Sequence, residues 1–181
     1  MRVTTARQIK NITLIGFMGT GKTTVGRLVA EQLKFEFLDT DALIEERSGK
    51  KIADIFAQNG ELAFRELEAQ LVEELNTRTK TIISTGGGLP TNPANLVSLK
   101  KHSLIFCLWL SPEKIFERVK DQSHRPLLHD LDPLGKIRTL LAAREKFYKQ
   151  ADVLLNSDLR SAREVAQQVI AQYHAATKVR K

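Results

Sequence analysis

The residues with the clearest chemistry lie near the N-terminus, where the chain reads GFMGTGKTT over Gly16–Thr24. This run matches G-x-x-x-x-G-K-[ST], a pattern whose glycines let backbone N–H groups converge on phosphate oxygens at a helix N-terminus. Lys22 would place a positive charge beside the β- and γ-phosphates, and the Thr23 hydroxyl would ligate Mg²⁺. A chance match in a chain of this length has odds below about 1%. The run therefore predicts nucleoside triphosphate binding, without saying whether water or a second substrate accepts the phosphate.

Two carboxylates close the second apolar run, which reads FLDTD and ends with Asp39 and Asp41. Alternation along an extended chain would put both on one side, at the edge of a sheet where ligands bind. Mg²⁺ held from Thr23 would suit Asp39, and a substrate hydroxyl would suit Asp41. The alternative is that one of them only caps the following helix.

Arginines and a second glycine-rich turn complete the set of candidate residues. Arg65 and Glu68 share a helix face, so the carboxylate would orient the guanidinium to receive a substrate carboxylate, although a plain surface ion pair would look the same. The run Gly86–Gly88 would let a ligand approach the backbone closely, unless it is a simple loop. Arg125 lies in a polar segment that resembles a lid and is followed by Arg144 in a long helix; an exposed loop arginine is the alternative.

Composition narrows the class of protein. The chain has 181 residues, 42% hydrophobic and 27% charged, which suits one α/β domain. The longest apolar run, Leu104–Leu110, is too short to span a bilayer, and the N-terminal apolar stretch lacks a signal cleavage site, so we expect a soluble cytoplasmic protein. The charge of +7 is spread along the chain, the histidines lack zinc-ligand spacing, and the single cysteine, Cys107, is expected in the core.

Apolar runs alternate with amphipathic segments along the chain. Five runs read as buried strands: Ile12–Phe17, Phe35–Leu38, Thr81–Ser84, Leu104–Leu110 and Val153–Leu155. Seven segments read as helices: Lys22–Lys34, Asp41–Ser48, Glu61–Arg78, Pro93–Lys101, Pro112–Asp121, Leu134–Gln150 and Ser161–Ala176. Capping residues mark four helix starts: Asn92, Ser111, Asp132 and Ser161. This alternation predicts a parallel sheet covered on both faces, with ligands bound beyond the carboxyl ends of the strands.

Five elements follow one another along the chain: the phosphate-binding loop, the paired aspartates, Phe64-Arg65 with Glu68, the glycine run and Arg125-Pro126-Leu127-Leu128. In this order and spacing, they closely resemble the shikimate kinase family. The similarity runs from about Asn11 to Tyr173. It implies a P-loop kinase fold: one α/β domain over residues 1–181, three layers (α/β/α) around a five-stranded parallel sheet in the order 2-3-1-4-5. It also implies a substrate-binding helical region at about 41–70, a lid at about 121–133, and transfer of the ATP γ-phosphate to the 3-hydroxyl of shikimate, in the route to chorismate and the aromatic amino acids.

The resemblance assigns a role to each candidate residue. ATP would contact Gly19, Thr20, Gly21, Lys22, Thr23, Thr24, Arg125 and Arg160. Shikimate would contact Asp41, Arg65, Gly87, Gly88 and Arg144, with Glu68 bracing the pocket. The catalytic residues would be Lys22, Asp41 and Arg125, and Mg²⁺ would be held by Thr23 and Asp39. Asp41 would bind the reactive hydroxyl and either take its proton or only position it.

Two other readings remain at this stage. A gluconate or nucleoside monophosphate kinase of the same fold is the nearer one, because gluconate also has a carboxylate and several hydroxyls. A basic nucleic-acid-binding ATPase is less favoured, because aromatic residues make up only 6% and no basic stripe is present. We therefore expect a monomer that binds ATP, Mg²⁺ and shikimate, and neither nucleic acid nor membrane.

Overall fold

A computed structural model describes residues 7–121 and 131–178. Five parallel strands form the sheet in the described part of the chain: β1 Asn11–Ile15, β2 Glu36–Asp39, β3 Thr81–Ser84, β4 Ser103–Trp109 and β5 Val153–Asn156. Their order is β2-β3-β1-β4-β5, which confirms the predicted topology. The register places Ile12 beside Ile82 on one side and beside Leu104 on the other. The carboxyl ends of β1, β2 and β3 therefore lie at one edge.

The described helices flank this sheet. They are α1 Lys22–Leu33, α2 Thr40–Ser48, α3 Ile52–Leu75, α4 Pro93–His102, α5 Pro112–Val119, α6 Pro133–Tyr148 and α7 Ala162–Lys178, with a 3₁₀ turn over Leu89–Thr91. The helix α3 begins nine residues earlier than predicted, and it bends at Gly60, where φ is 81° and ψ is 173°. Because a glycine breaks the helical pattern, the sequence indicated only the part that follows it.

Two apolar layers enclose the sheet. Along β1, Ile12 and Leu14 pack with α1 and α7, whereas Ile15 packs with α3 to α6 on the other face. This alternation follows from the two-residue period of a strand that is buried on both faces. Cys107 is fully buried, and burial raises the pKa of its thiol to about 12, which confirms its expected place in the core.

Capping explains most of the helix starts. The Asn92 side chain accepts from the Ala94 N–H at 3.0 Å, and Asp132 accepts from Gly135 at 2.9 Å. Ser161 and Glu164 bond reciprocally as a capping box. Ser111 was expected to cap α5, but its hydroxyl donates instead to Asp158 Oδ1 at 3.0 Å and makes no capping bond. Within residues 7–121 and 131–178, no helix combines the length and apolarity needed to cross a membrane.

Candidate active site

The phosphate-binding loop joins β1 to α1 at the carboxyl edge of the sheet. Lys22, the first residue of α1, is buried, and its Nζ donates to the carbonyls of Gly16 at 2.9 Å and Phe17 at 2.8 Å. The Thr20 hydroxyl also donates to the Phe17 carbonyl, at 2.8 Å. These bonds curl the backbone around the lysine, so its charge lies inside the loop where phosphate oxygens would bind.

Asp39 caps α2 with one oxygen and joins two hydroxyls with the other. Its Oδ1 accepts from the backbone N–H of Asp41 at 3.2 Å and of Ala42 at 3.4 Å. Its Oδ2 accepts from Thr23 Oγ1 and from Ser84 Oγ, both at 3.0 Å. Thr23 and Asp39 were predicted to lie together, and their side chains are hydrogen-bonded. The sequence also allowed one of the two aspartates to cap the following helix, and Asp39 is that cap.

Asp41 does reach the same cavity as Asp39, although the reason given by the sequence pattern is wrong. β2 ends at Asp39 and α2 begins at Thr40, so Asp41 lies in the first turn of a helix and not in an extended chain. The aspartate side chains line one cavity because the helix starts at the edge of the sheet and directs its first turn toward the phosphate-binding loop.

The carboxylate of Asp41 is poorly solvated. Its Oδ1 is buried and has no hydrogen-bond partner among the described residues. Burial raises the pKa of Asp41 to about 6, with a further contribution from the negative charge of Asp39, while Lys22 and Arg65 act in the opposite direction. A carboxyl group with a pKa near neutrality and an unsatisfied oxygen is suited to accept a proton from a substrate hydroxyl.

The glycine run lies directly beneath this carboxylate. The Gly86 N–H donates to Thr40 Oγ1 at 2.9 Å, and a Cβ atom at Gly86 would collide with Asp41 Oδ1. At Gly88 a Cβ atom would lie 2.5 Å from Arg65 Nη1. The approach of a ligand to this backbone stays a prediction; in the structure, the groups that approach Gly86 and Gly88 are the protein's own side chains.

Arg65 is held by two acidic residues on α3. Its Nη1 donates to Glu68 Oε2 at 2.7 Å, and its Nη2 donates to Glu61 Oε1 at 2.9 Å. The Glu68 side chain is only 1% exposed, so this is not the surface ion pair that the sequence also allowed. Burial raises the pKa of Glu68 even though Arg65 opposes the shift. At Arg65 the opposite holds: burial acts to lower the pKa of the guanidinium, but the hydrogen bonds and charges of Glu68 and Glu61 outweigh it and raise that pKa.

Arg144 approaches from α6 on the other side of the glycine run. Its Nη1 lies 3.6 Å from the position that a Cβ atom would take at Gly87. Its guanidinium carbon lies 5.5 Å from the centroid of the Phe17 ring, a distance suited to a cation–π contact. Arg65 and Arg144 are 79 residues apart in the sequence, and the fold brings them to neighbouring glycines.

A cavity of about 430 Å³ connects these elements. Its lining comes from the phosphate-binding loop, the carboxyl ends of β2 and β3, and α5: Met18, Gly19, Gly21, Lys22, Thr23, Thr24, Asp39, Asp41, Ser84, Thr85, Gly86, Gly87 and Arg118. Arg65, Gly88 and Arg144 lie next to this lining and not within it. The cavity thus has a phosphate-binding half and a half formed by Asp41 and the glycine run, and the two guanidinium groups lie beside the second half, outside its lining.

Among the described residues of the lining, Arg118 is the charged one that was not predicted to contact a ligand. It lies in the last turn of α5, and its Nη1 donates to the Gly19 carbonyl at 3.3 Å. No motif marks it, because a single arginine on an amphipathic helix has the pattern of a solvated residue. The available signal was its place in the helix that follows β4, since loops and helices after parallel strands face the ligand edge.

Of the described residues that were predicted to contact ATP, Thr20 and Arg160 are not part of the cavity lining. Arg160 follows β5, is exposed, and donates from Nη1 to the Asn156 carbonyl at 2.6 Å, away from the cavity lining. Arg125 falls in residues 122–130, which lie outside the described residues together with most of the expected lid.

The oxygen atoms around Asp39 fit the requirements of a magnesium ion. Thr23 Oγ1 and Asp39 Oδ2 are 3.0 Å apart, and both are hard oxygen donors. Within the described ranges, no cluster of three or more His, Cys, Asp or Glu side chains is placed to hold a metal ion. Mg²⁺ is commonly bound by one or two protein oxygens with water and substrate phosphates, so this small donor set is sufficient beside a phosphate-binding loop.

Comparison with known proteins agrees with this geometry. The chain matches the family described as "Shikimate kinase" over residues 18–174. It is 42% identical over 165 residues to a shikimate kinase of Thermodesulfovibrio yellowstonii, covering 91% of this chain and 95% of the relative. The structure aligns with a shikimate kinase from Acinetobacter baumannii solved in complex with shikimate, with a TM-score of 0.87 and 36% identity over 93% of this chain and 95% of that chain.

A gluconokinase from Sinorhizobium meliloti is a more distant structural neighbour. It aligns with a TM-score of 0.59 over 96% of this chain and 97% of that chain, at 17% identity, which shows a shared fold and no more. By the family match and by the identity to relatives over nearly its whole length, the chain belongs to the shikimate kinase family.

Proposed function

We propose that this protein transfers the γ-phosphate of ATP to the 3-hydroxyl of shikimate, giving shikimate 3-phosphate and ADP. The observation that carries the proposal is the position of Asp41. Its buried Oδ1, which has no hydrogen-bond partner in residues 7–121 and 131–178, belongs to a side chain that lines the cavity containing Lys22, next to the two glycines against which Arg65 and Arg144 pack. A phosphate site, a base and a carboxylate site are thus adjacent, as an anionic polyol acceptor requires.

The phosphate-binding half would hold the ATP triphosphate. Lys22, whose Nζ donates to two loop carbonyls, would reach the β- and γ-phosphates, and Arg118 would add a second positive charge at Gly19. The remaining predicted ATP contacts of the loop are Gly19, Thr20, Gly21, Thr23 and Thr24. Charge neutralisation and alignment are the main requirements of phosphoryl transfer, so these groups would lower the barrier without covalent chemistry.

The other half would anchor shikimate through its carboxylate. Glu68 holds Arg65 from one side at 2.7 Å, and Arg144 stacks on Phe17, so both guanidinium groups are partly ordered before the substrate binds. A guanidinium offers two parallel donors to a carboxylate. The backbone of Gly87 and Gly88 would meet the ring hydroxyls between the arginines.

Asp41 would then act on the reactive hydroxyl. As the 3-hydroxyl oxygen forms a bond to the γ-phosphorus, the bond from that phosphorus to the bridging oxygen of ADP breaks, and the hydroxyl proton passes to Asp41. The pKa of about 6 keeps most of this carboxyl ionised at pH 7 while leaving it basic enough to accept a proton.

Thr23 and Asp39 would hold Mg²⁺, Asp39 through water. When bound, the ion neutralises charge on the β- and γ-phosphates. Arg125 in the predicted lid and Arg160 stay predictions for the ATP side, as do the substrate region at about 41–70, a monomeric state and a cytoplasmic location.

The proposal is tested by an ADP-release assay with ATP and Mg²⁺ in which shikimate, gluconate and a nucleoside monophosphate are compared as acceptors. We expect turnover with shikimate and only background release with the other two. Lys22→Ala, which removes the phosphate-facing charge, should abolish release with every acceptor. Preferred turnover of gluconate or of a nucleoside monophosphate would contradict the proposal. ADP release that is independent of any acceptor would instead indicate an ATPase.

A further inference from the structure

Tyr148 lies beside the site and has no role in the account above. It is the last residue of α6, and its side chain is fully buried. Its hydroxyl donates to the Gly87 carbonyl at 2.7 Å, across 61 residues of sequence. A buried phenol needs a hydrogen-bond partner, and here that partner is the backbone of the glycine run to which shikimate would bind.

Arg144 approaches the same glycine as this hydroxyl. Arg144 and Tyr148 are four positions apart on α6, so both lie on one face of the helix. Arg144 Nη1 lies 3.6 Å from the position that a Cβ atom would take at Gly87, and the Tyr148 hydroxyl bonds to the carbonyl of that residue. The phenol and the guanidinium therefore both approach the Gly87 peptide.

The phenol keeps its proton throughout the neutral range. Burial raises the pKa of Tyr148 to about 12, although Arg144 acts to lower it. The hydroxyl is therefore a permanent donor to Gly87 and does not compete as an anion for the positive charge of Arg144.

We propose that Tyr148 is a positioning residue for the carboxylate side of the site, acting through Arg144 and the Gly87 peptide. By holding the Gly87 peptide one helical turn from Arg144, it fixes the glycine backbone relative to the guanidinium before an anionic substrate binds. Without the hydroxyl, the Gly87 peptide and the guanidinium beside it are less ordered, and substrate binding must then order them at a cost in affinity. The inference rests on the proposed function, because the shikimate carboxylate is the group that Arg144 would bind.

The test compares Tyr148→Phe with Tyr173→Phe in the full-length enzyme. Tyr173, the other tyrosine, lies on α7 in the opposite apolar layer and packs edge-on against Phe35, with ring centroids 5.7 Å apart. We expect Tyr148→Phe to raise the KM for shikimate about three- to tenfold, the effect of one hydrogen bond, and to change the KM for ATP by less than about twofold. Tyr173→Phe should change neither value.

A second comparison separates positioning from general packing. In an Arg144→Gln background, Tyr148→Phe should raise the KM for shikimate by less than about twofold more, because the residues act as one unit. If phenylalanine prevents folding, 4-fluorophenylalanine at the same position fills the hydroxyl space without a donor and serves for both measurements.

Three results would overturn the role of Tyr148: a KM for shikimate equal to that of the Tyr173→Phe control, equal losses for ATP and shikimate, or a full effect in the Arg144→Gln background. Failure of the wild-type enzyme to phosphorylate shikimate would instead refute the proposed function, and this inference with it. The two failures are distinguished by the wild-type assay.

Discussion

The raised pKa of Asp41 has consequences for stability as well as for catalysis. Because the folded protein binds this proton more tightly than the unfolded chain, whose value is 3.8, the carboxyl contributes least to stability when it is ionised. The contribution is fully present below about pH 4 and is lost as the pH rises through about 6. At pH 7 the ionised carboxylate therefore opposes folding, a cost expected of a buried group kept for function rather than for stability.

Replacing Asp41 by asparagine should separate these effects. The neutral amide removes the buried charge, so we expect Asp41→Asn to raise the free energy of unfolding at pH 7 by about 1–2 kcal/mol, with the gain shrinking toward pH 4. Turnover should fall by at least about 100-fold through loss of the base, while ATP binding is retained. Urea unfolding at both pH values and the ADP-release assay measure the two effects. Near-normal turnover would remove Asp41 from the mechanism.

The pH dependence of the wild-type enzyme gives an independent check. With a pKa of about 6, Asp41 becomes protonated below that pH, so kcat/KM for shikimate should fall about tenfold per pH unit there. Steady-state rates from pH 5 to 8 measure this, with added ADP at each pH as the control for the coupling enzymes. A profile that stays flat down to pH 5 would show that no proton is taken by this group.

Replacing Arg65 should weaken the binding of shikimate and leave the binding of ATP nearly unchanged. Arg65→Ala removes a charged partner of the shikimate carboxylate, and the loss of such a partner costs about 2 kcal/mol or more of binding free energy. The KM for shikimate should therefore rise at least about 30-fold, and the KM for ATP should rise by less than about twofold. Arg47→Ala is the matched control, because the Arg47–Glu74 pair joins half-exposed side chains on α2 and α3 at 2.7 Å. Equal damage to both KM values in Arg65→Ala would show that it is not a carboxylate ligand.

At the scale of elements, the site depends on how closely the glycine run approaches α2 and α3. A methyl group at Gly86 would collide with Asp41 Oδ1, and the α2 side chain Thr40 bonds to the same residue at 2.9 Å. The turn after β3 therefore determines the position of the Asp41 carboxylate. Its Gly86 conformation needs no unusual φ angle, so the requirement for glycine is one of space.

Gly86→Ala should consequently damage catalysis more than folding. We expect kcat with shikimate to fall at least about tenfold, because the displaced Asp41 no longer faces the hydroxyl. Gly49→Ala is the control: this C-cap of α2 has φ of 65° and no atom within 4 Å of an added Cβ, so it should lose about 1 kcal/mol of stability and keep its kcat. Melting temperatures and kcat are compared for both. A Gly86→Ala enzyme with unchanged kcat would contradict the placement of the base.

The elements could be predicted where a local pattern marks them. β3 was expected at its observed bounds because its four apolar or small residues are buried on both faces and followed by glycines. Three features could not be predicted in this way: the helical turns before Gly60, the bond from Ser111 to Asp158 and the cavity position of Arg118. Gly60 interrupts the local helical pattern, and the other two features depend on contacts between segments that are distant in the sequence, which a local pattern does not encode.

At the scale of the whole molecule, the parallel topology explains why scattered residues form one site. Three strand ends deliver the phosphate-binding loop, the paired aspartates and the glycine run to the same edge, and α3, α5 and α6 add arginines above it. Part of the formal charge of +7 therefore lies where anionic substrates would bind. The sequence motifs identified most of these residues, and the sheet order placed them together.

The most direct test of the central claim follows the phosphate itself. In a reaction with ATP labelled at the γ-phosphate, Mg²⁺ and shikimate, the account predicts that the label appears as a phosphate monoester on the 3-hydroxyl of shikimate, in equal amount to the ADP formed, and that Asp41→Asn suppresses it. Label recovered mainly as inorganic phosphate, or on another hydroxyl, would contradict the account.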